Sequence, residues 1–125
     1  MQFLALIYND EALLEALPEG EADDMMRHCF AHADELRAKG RLLESQQLEP
    51  SKAAKTVRIR NGRTTVVDGP FAETKEILGG FNLIEAANMQ EAIEIASKFP
   101  WAQTGCVEVR AVKDLNAVRR DVGAA

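Results

Sequence analysis

Residues 68–76 read Asp-Gly-Pro-Phe-Ala-Glu-Thr-Lys-Glu, placing a carboxylate, an aromatic ring, an ammonium group and two further acids within nine positions. Gly69 takes positive φ freely, and Pro70 fixes its own φ while pushing Gly69 out of the helical region, so the chain turns here. Asp68 has two readings. Its carboxylate can accept backbone N–H groups of its own turn, or the turn can aim it into a cleft as a general base or as the orienter of a histidine. Phe71, Glu73 and Lys75 follow as candidate substrate contacts. His28 and His32, the only histidines, lie four residues apart and so share one side of a helix. His32 borders the apolar stripe and is the better proton-transfer partner for Asp68; His28 points further towards solvent. Asp24 extends their ladder, but no thiol or further histidine is spaced to complete a metal site, and no metal is expected. Arg110 and Glu108 alternate with apolar positions and could form an ion pair, or Arg110 could bind a carboxylate or enolate. Cys29 and Cys106 sit in apolar segments, which suggests buried reduced thiols rather than a disulfide. As a nucleophile Cys29 is weak, since burial raises a thiol pKa.

The elements that would position these groups follow from periodicity. Residues 2–8 are apolar on both alternating sets, as in a strand covered on two faces. After a short helical linker at 11–17, acids at 19, 21, 23 and 24 crowd a helix start, where the macrodipole favours them, and Gly40 stops that helix. Ala22, Met25, Met26, Cys29, Ala33 and Leu36 form its apolar stripe. Strands are expected at 41–48, 56–60, 63–67, 81–85 and 106–112. Asn61-Gly62 is the favoured type I′ hairpin turn, and Gly79-Gly80 suggests a bulge, a hinge or a close backbone approach. Asn88 is an N-cap for a second helix ended by Pro100, with Ala92, Ile93, Ala96 and Phe99 as its buried face. Residues 113–125 form a weakly helical tail able to be flexible.

The order β-α-β-(hairpin)-β-α-β predicts one α+β domain over residues 1–125, a ferredoxin-like sandwich with an inserted β-hairpin. Right-handed crossovers put both helices on one side of the sheet. The bare face would then be covered by a second copy, giving a homodimer.

The nine-residue turn segment and the strand pattern running to residues 107–110 resemble the YCII-related (YciI-like) family, in its DGPF-motif branch. The resemblance implies a dimeric α/β barrel. It also implies a histidine–aspartate dyad in the YciI branch, and in the wider family a similarity to a dehalogenase acting on chlorinated lactones. Counted back from Gly40, the family's histidine position falls on Cys29, with His28 and His32 on either side.

A length of 125 residues and a 46% apolar fraction allow one real core. Net charge −5, with its cations scattered, argues against nucleic-acid binding; Arg58, Arg60 and Arg63 form the one basic cluster, on a hairpin. No basic leader precedes the first apolar run, which is too short to span a bilayer, so a cytoplasmic protein without membrane contact is expected. No phosphate cradle, dinucleotide fingerprint or metal-thiolate spacing is present, and no cofactor is expected. Two function classes stay open. One is a cofactorless lyase- or isomerase-type enzyme on a small organic acid or lactone, using Asp68 with His32 or His28 in a dimer cleft. The other is a ligand-binding or regulatory partner, since the branch is similar to proteins encoded beside extracytoplasmic-function sigma factors.

Overall fold

A computed structural model describes residues 1–72 and 74–124. Four strands form one antiparallel sheet in the order β2 (Leu42–Gln47), β5 (Glu76–Glu85), β1 (Gln2–Asp10), β6 (Gly105–Ala111). Strands β3 (Lys55–Arg60) and β4 (Arg63–Asp68) pair only with each other, and the turn between them has Asn61 at φ 52° and Gly62 at φ 75°, as a type I′ hairpin requires. The helices are α1 (Glu11–Glu15), α2 (Glu21–Ala38), α3 (Met89–Ser97) and α4 (Leu115–Asp121). Gly40, at φ 71°, ends α2 as expected, and Asn88 caps α3 by accepting from the Glu91 N–H at 2.9 Å. The tail is helical over Leu115–Asp121, with Asp114 accepting from the Asn116 and Ala117 N–H groups.

Pairing fixes the faces. Phe3 lies opposite Ile84, which lies opposite Leu42, and these residues meet Ala33 and Leu36 of α2 and Ala92 and Ile95 of α3, with Phe99, in the core. Both long helices therefore pack on one side of the sheet. Two expectations need correction. The buried face of α3 uses Ile95, while Ile93 is exposed. Strand β5 begins at Glu76 rather than after the glycines, so Gly79 and Gly80 lie inside it, next to a bulge at Ile7 and Tyr8. A side chain at Gly80 would reach within 2.6 Å of the Gln46 carbonyl oxygen, so the pair marks a close backbone approach. The other face carries Leu4 opposite Leu83 and Leu6 opposite Phe81, and neither row is buried in the single chain. Among the described residues, no helix is long and apolar enough to cross a membrane.

Candidate functional site

The sheet's helix-covered face holds a cleft of about 360 Å³. Its α2 wall presents Met26, Cys29, Phe30 and Ala33, the three- and four-residue spacing of one helical face. Its floor is Ile7, Ser45 and Asn82, which alternation turns to the same side. Asn82 is only 3% exposed, and its Oδ1 accepts the Ser45 hydroxyl at 2.6 Å. That leaves the amide NH₂, which has no acceptor among the described residues, as a donor open to the cleft floor. Trp101 closes one end, its indole N–H donating to Cys29 Sγ at 3.4 Å. Burial pushes the Cys29 thiol up, and the indole bond pulls it back only in part. Cys29 is thus held as a neutral thiol, and among the described residues no base hydrogen-bonds to it.

A second cleft of about 520 Å³ lies under the signature turn, between Tyr8, Leu78, Pro70, Phe71 and the 50–54 connection. Where the turn returns to the sheet, Lys75 Nζ approaches Asp10 Oδ2 at 3.8 Å. Asp10 is 4% exposed. Its Oδ1 accepts from the Ala12 and Leu13 N–H groups at 3.0 and 3.3 Å, capping α1, and its own N–H donates to the Thr104 carbonyl at 2.9 Å. The neighbouring Asn9 lines the first cleft, and its Oδ1 is buried without a partner. Tyr8 lines the second cleft, and Cys106 lies opposite Tyr8 on β6. Burial, then the Glu108 carboxylate, raise the Tyr8 pKa, and burial followed by Glu76 does the same to Cys106.

The sequence-predicted residues are distributed unevenly around these clefts. Phe71 lines the second one and is 78% exposed, with the Arg58 guanidinium 5.8 Å above its ring, while Lys75 is not among the lining residues and turns to Asp10 instead. Glu73 lies outside the described residues. Asp68 ends β4 with its side chain 84% exposed and paired to Lys55; among the described residues it accepts no amide of its own turn, and Gly69 N–H instead donates to the Ala54 carbonyl. The Asx-turn reading of Asp68 is therefore corrected. His28 is exposed, its Nδ1 donating to the Asp24 carbonyl at 2.9 Å. His32 donates from Nε2 to the Ile95 carbonyl at 3.0 Å, with its ring edge-on to Phe99 at 4.6 Å, so it ties α2 to α3. Arg110 lies on the sheet's open face, opposite Leu4. Among the described residues, Asp68, His28 and His32 share no hydrogen bond, and no group of three or more His, Cys, Asp or Glu side chains is arranged to hold a metal. Cys106, expected to be buried, is exposed. The groups missed from sequence are Asp10, Asn82 and Ser45. Asp10 had a signal, since an Asp followed at once by helical sequence is an N-cap pattern, whereas nothing local marks a strand Asn as a cleft floor.

The model of the YCII-related domain matches residues 1–116, and the chain belongs to that family. An uncharacterised protein of Rhizobium meliloti (strain 1021) is 41% identical over 112 residues, covering 88% of this chain and 90% of its own. Among solved structures, the chain is similar to 5-chloro-2-hydroxyhydroquinone dehydrochlorinase (TftG) from Burkholderia phenoliruptrix AC1100, in complex with 2,5-dihydroxybenzoquinone. The TM-score is 0.52 at 18% identity, covering 90% of this chain and 94% of that one, a likeness of fold.

Proposed function

We propose that this protein is a cofactor-independent enzyme of the DGPF-motif branch that works on a small, uncharged ring compound such as a lactone or a hydroquinone, in a cytoplasmic homodimer of ferredoxin-like protomers. The observation that carries the reading is the α2 cleft, with apolar walls and a buried Asn82 amide on its floor. About 360 Å³ suits a single ring with a few substituents, and a buried amide donor recognises a carbonyl or hydroxyl oxygen. Among the described residues no lysine, arginine or histidine lines the cleft and Asp23 does, so a carboxylate ligand is disfavoured and the lactone is favoured over the acid. The structural neighbour is a dehydrochlorinase of a chlorinated hydroquinone, a ligand of this size. Proton handling is assigned to Asp10, the buried carboxylate next in the chain to the cleft-lining Asn9, with Lys75 as its ion-pair partner. The alternative of a regulatory partner protein is supported by one observation, the exposed apolar surface of the hairpin.

Trp101 is the single tryptophan and closes the cleft, so its fluorescence reports occupancy. Unsaturated lactones and hydroquinones should change Trp101 emission saturably, and Asn82→Leu should abolish the change while keeping the fold. Asp10→Asn should keep binding and lose turnover of any compound that is converted. Binding confined to carboxylates, or no response across the panel, overturns the reading.

A further inference from the structure

Asn82 stands between two strands, opposite Ala5 of β1 on one side and Ser45 of β2 on the other. Ala5 is fully buried and offers no polar side-chain atom, so among the described residues the Asn82 amide has one hydrogen-bond partner, the Ser45 hydroxyl at 2.6 Å. A carboxamide carries an acceptor and a donor on two ends of nearly equal shape, and a hydroxyl can both donate and accept. Turning the Asn82 amide over, with the Ser45 hydrogen swung aside, therefore keeps their mutual bond and shows Oδ1 to the cleft in place of the NH₂. A partner able only to donate, such as lysine, would have fixed the amide one way; serine does not. The two states are unequal. A separation of 2.6 Å suits O–H···O, whereas N–H···O prefers about 2.9 Å, so the state with NH₂ towards the cleft is the resting one and the other needs the pair to part slightly.

We infer that Ser45 and Asn82 form a reversible reader of one ring oxygen, whose NH₂ meets a carbonyl and whose Oδ1 meets the corresponding hydroxyl. The inference rests on the ring ligand proposed above and narrows it to compounds whose oxygen is C–OH on one side of the reaction and C=O on the other. Conversion of an enol to its ketone is such a step: the O–H bond breaks, a C–H bond forms and no oxidant is consumed. A hydroxyl that only accepted from the NH₂ would leave its own proton without a partner at the floor, a cost that the turned amide removes.

Phenol and cyclohexenone, closely matched in size, are the probes. Trp101 emission gives their affinities, and NMR of protein with isotope-labelled asparagine gives the direction of the Asn82 NH₂, identified as the signal missing from Asn82→Leu. With cyclohexenone the NH₂ protons should show nuclear Overhauser contacts to the ring, and with phenol those contacts should move to the Ser45 β protons. Affinities should lie within about tenfold of each other, with cyclohexenone the tighter. Asn82→Asp, which when ionised only accepts, should keep phenol and weaken cyclohexenone about thirtyfold or more, its melting temperature checking the fold. If that variant does not fold, the wild-type contacts decide alone. An NH₂ that stays on the ligand in both complexes, or cyclohexenone binding without phenol binding, overturns the turning amide and leaves the lactone reading with a fixed donor. Trp101 and Asn82 signals that ignore both probes and the whole lactone and hydroquinone panel overturn both.

Discussion

At the scale of single residues, the chemistry turns on which groups are held neutral and which are held charged. Cys29 is the clearest case, because burial raises its thiol pKa and the Trp101 N–H offsets that only partly. Between its ordinary value and its raised value the native state binds more protons than the unfolded chain. The corresponding stability is therefore complete below about pH 8.5 and is lost as pH rises through the folded pKa. In a Cys106→Ala background, which removes the other raised thiol, urea unfolding midpoints should fall between about pH 7 and pH 10, and adding Cys29→Ala should flatten part of that fall. Equal slopes with and without Cys29 would show that the thiol is not desolvated. The sequence made this residue visible as part of a helical stripe, because 3.6-residue periodicity is local information. It could not show that Asp10, far from Lys75 in the chain, becomes its buried partner, because that pairing forms only when the turn at 68–76 closes onto the end of β1.

At the scale of elements, close strand approach constrains the site as strongly as any side chain does. A Cβ at Gly105 would lie 1.8 Å from the Tyr8 carbonyl oxygen, and one at Gly80 would lie 2.6 Å from the Gln46 carbonyl oxygen, both backbone atoms that cannot rotate away. At Gly79 the obstacle is the Asn9 Nδ2 at 2.4 Å, the end of a side chain that can move. Alanine substitutions should therefore destabilise in the order Gly105, Gly80, Gly79, the first two by about 1–3 kcal/mol, as overpacking does, with urea denaturation as the measurement. Gly79→Ala should instead be felt in the α2 cleft, through the displaced Asn9. Elements with a local signal were legible: the Asn61-Gly62 hairpin, the Asn88 cap, the Gly40 stop. The start of β5 was not, because glycine and glutamate have poor strand propensity, and pairing with β1, joined by β2 at the glycines, holds them extended. The buried face of α3 was misassigned at Ile93 for a similar reason, since a nine-residue helix leaves two apolar stripes almost equally good until the sheet selects one.

At the scale of the whole molecule, the sheet poses one unresolved demand. Its inner face is closed by α2 and α3, but across the outer face Glu44, Leu83, Leu4 and Arg110 form one row, and Gln46, Phe81, Leu6 and Glu108 the next. Each row is apolar at its centre and polar at its ends, the pattern of an interface core with a polar rim rather than of a surface meant for water. For the proposed homodimer this face is the contact, and the sharpest probe is a single charge at its centre. Leu83→Lys should be tolerated in the protomer, where a long stem can lift its ammonium into solvent. In the dimer the same ammonium would be buried without a partner, so association should weaken about a hundredfold or more. Ala31→Lys, on the exposed side of α2, supplies the control and should leave association unchanged. Sedimentation of the three proteins at matched concentration reads the outcome directly. Leu83→Lys protein that keeps the wild-type dimer mass would place the contact elsewhere, whereas a monomer that melts like the dilute wild type would show the outer face held together by its apolar centre.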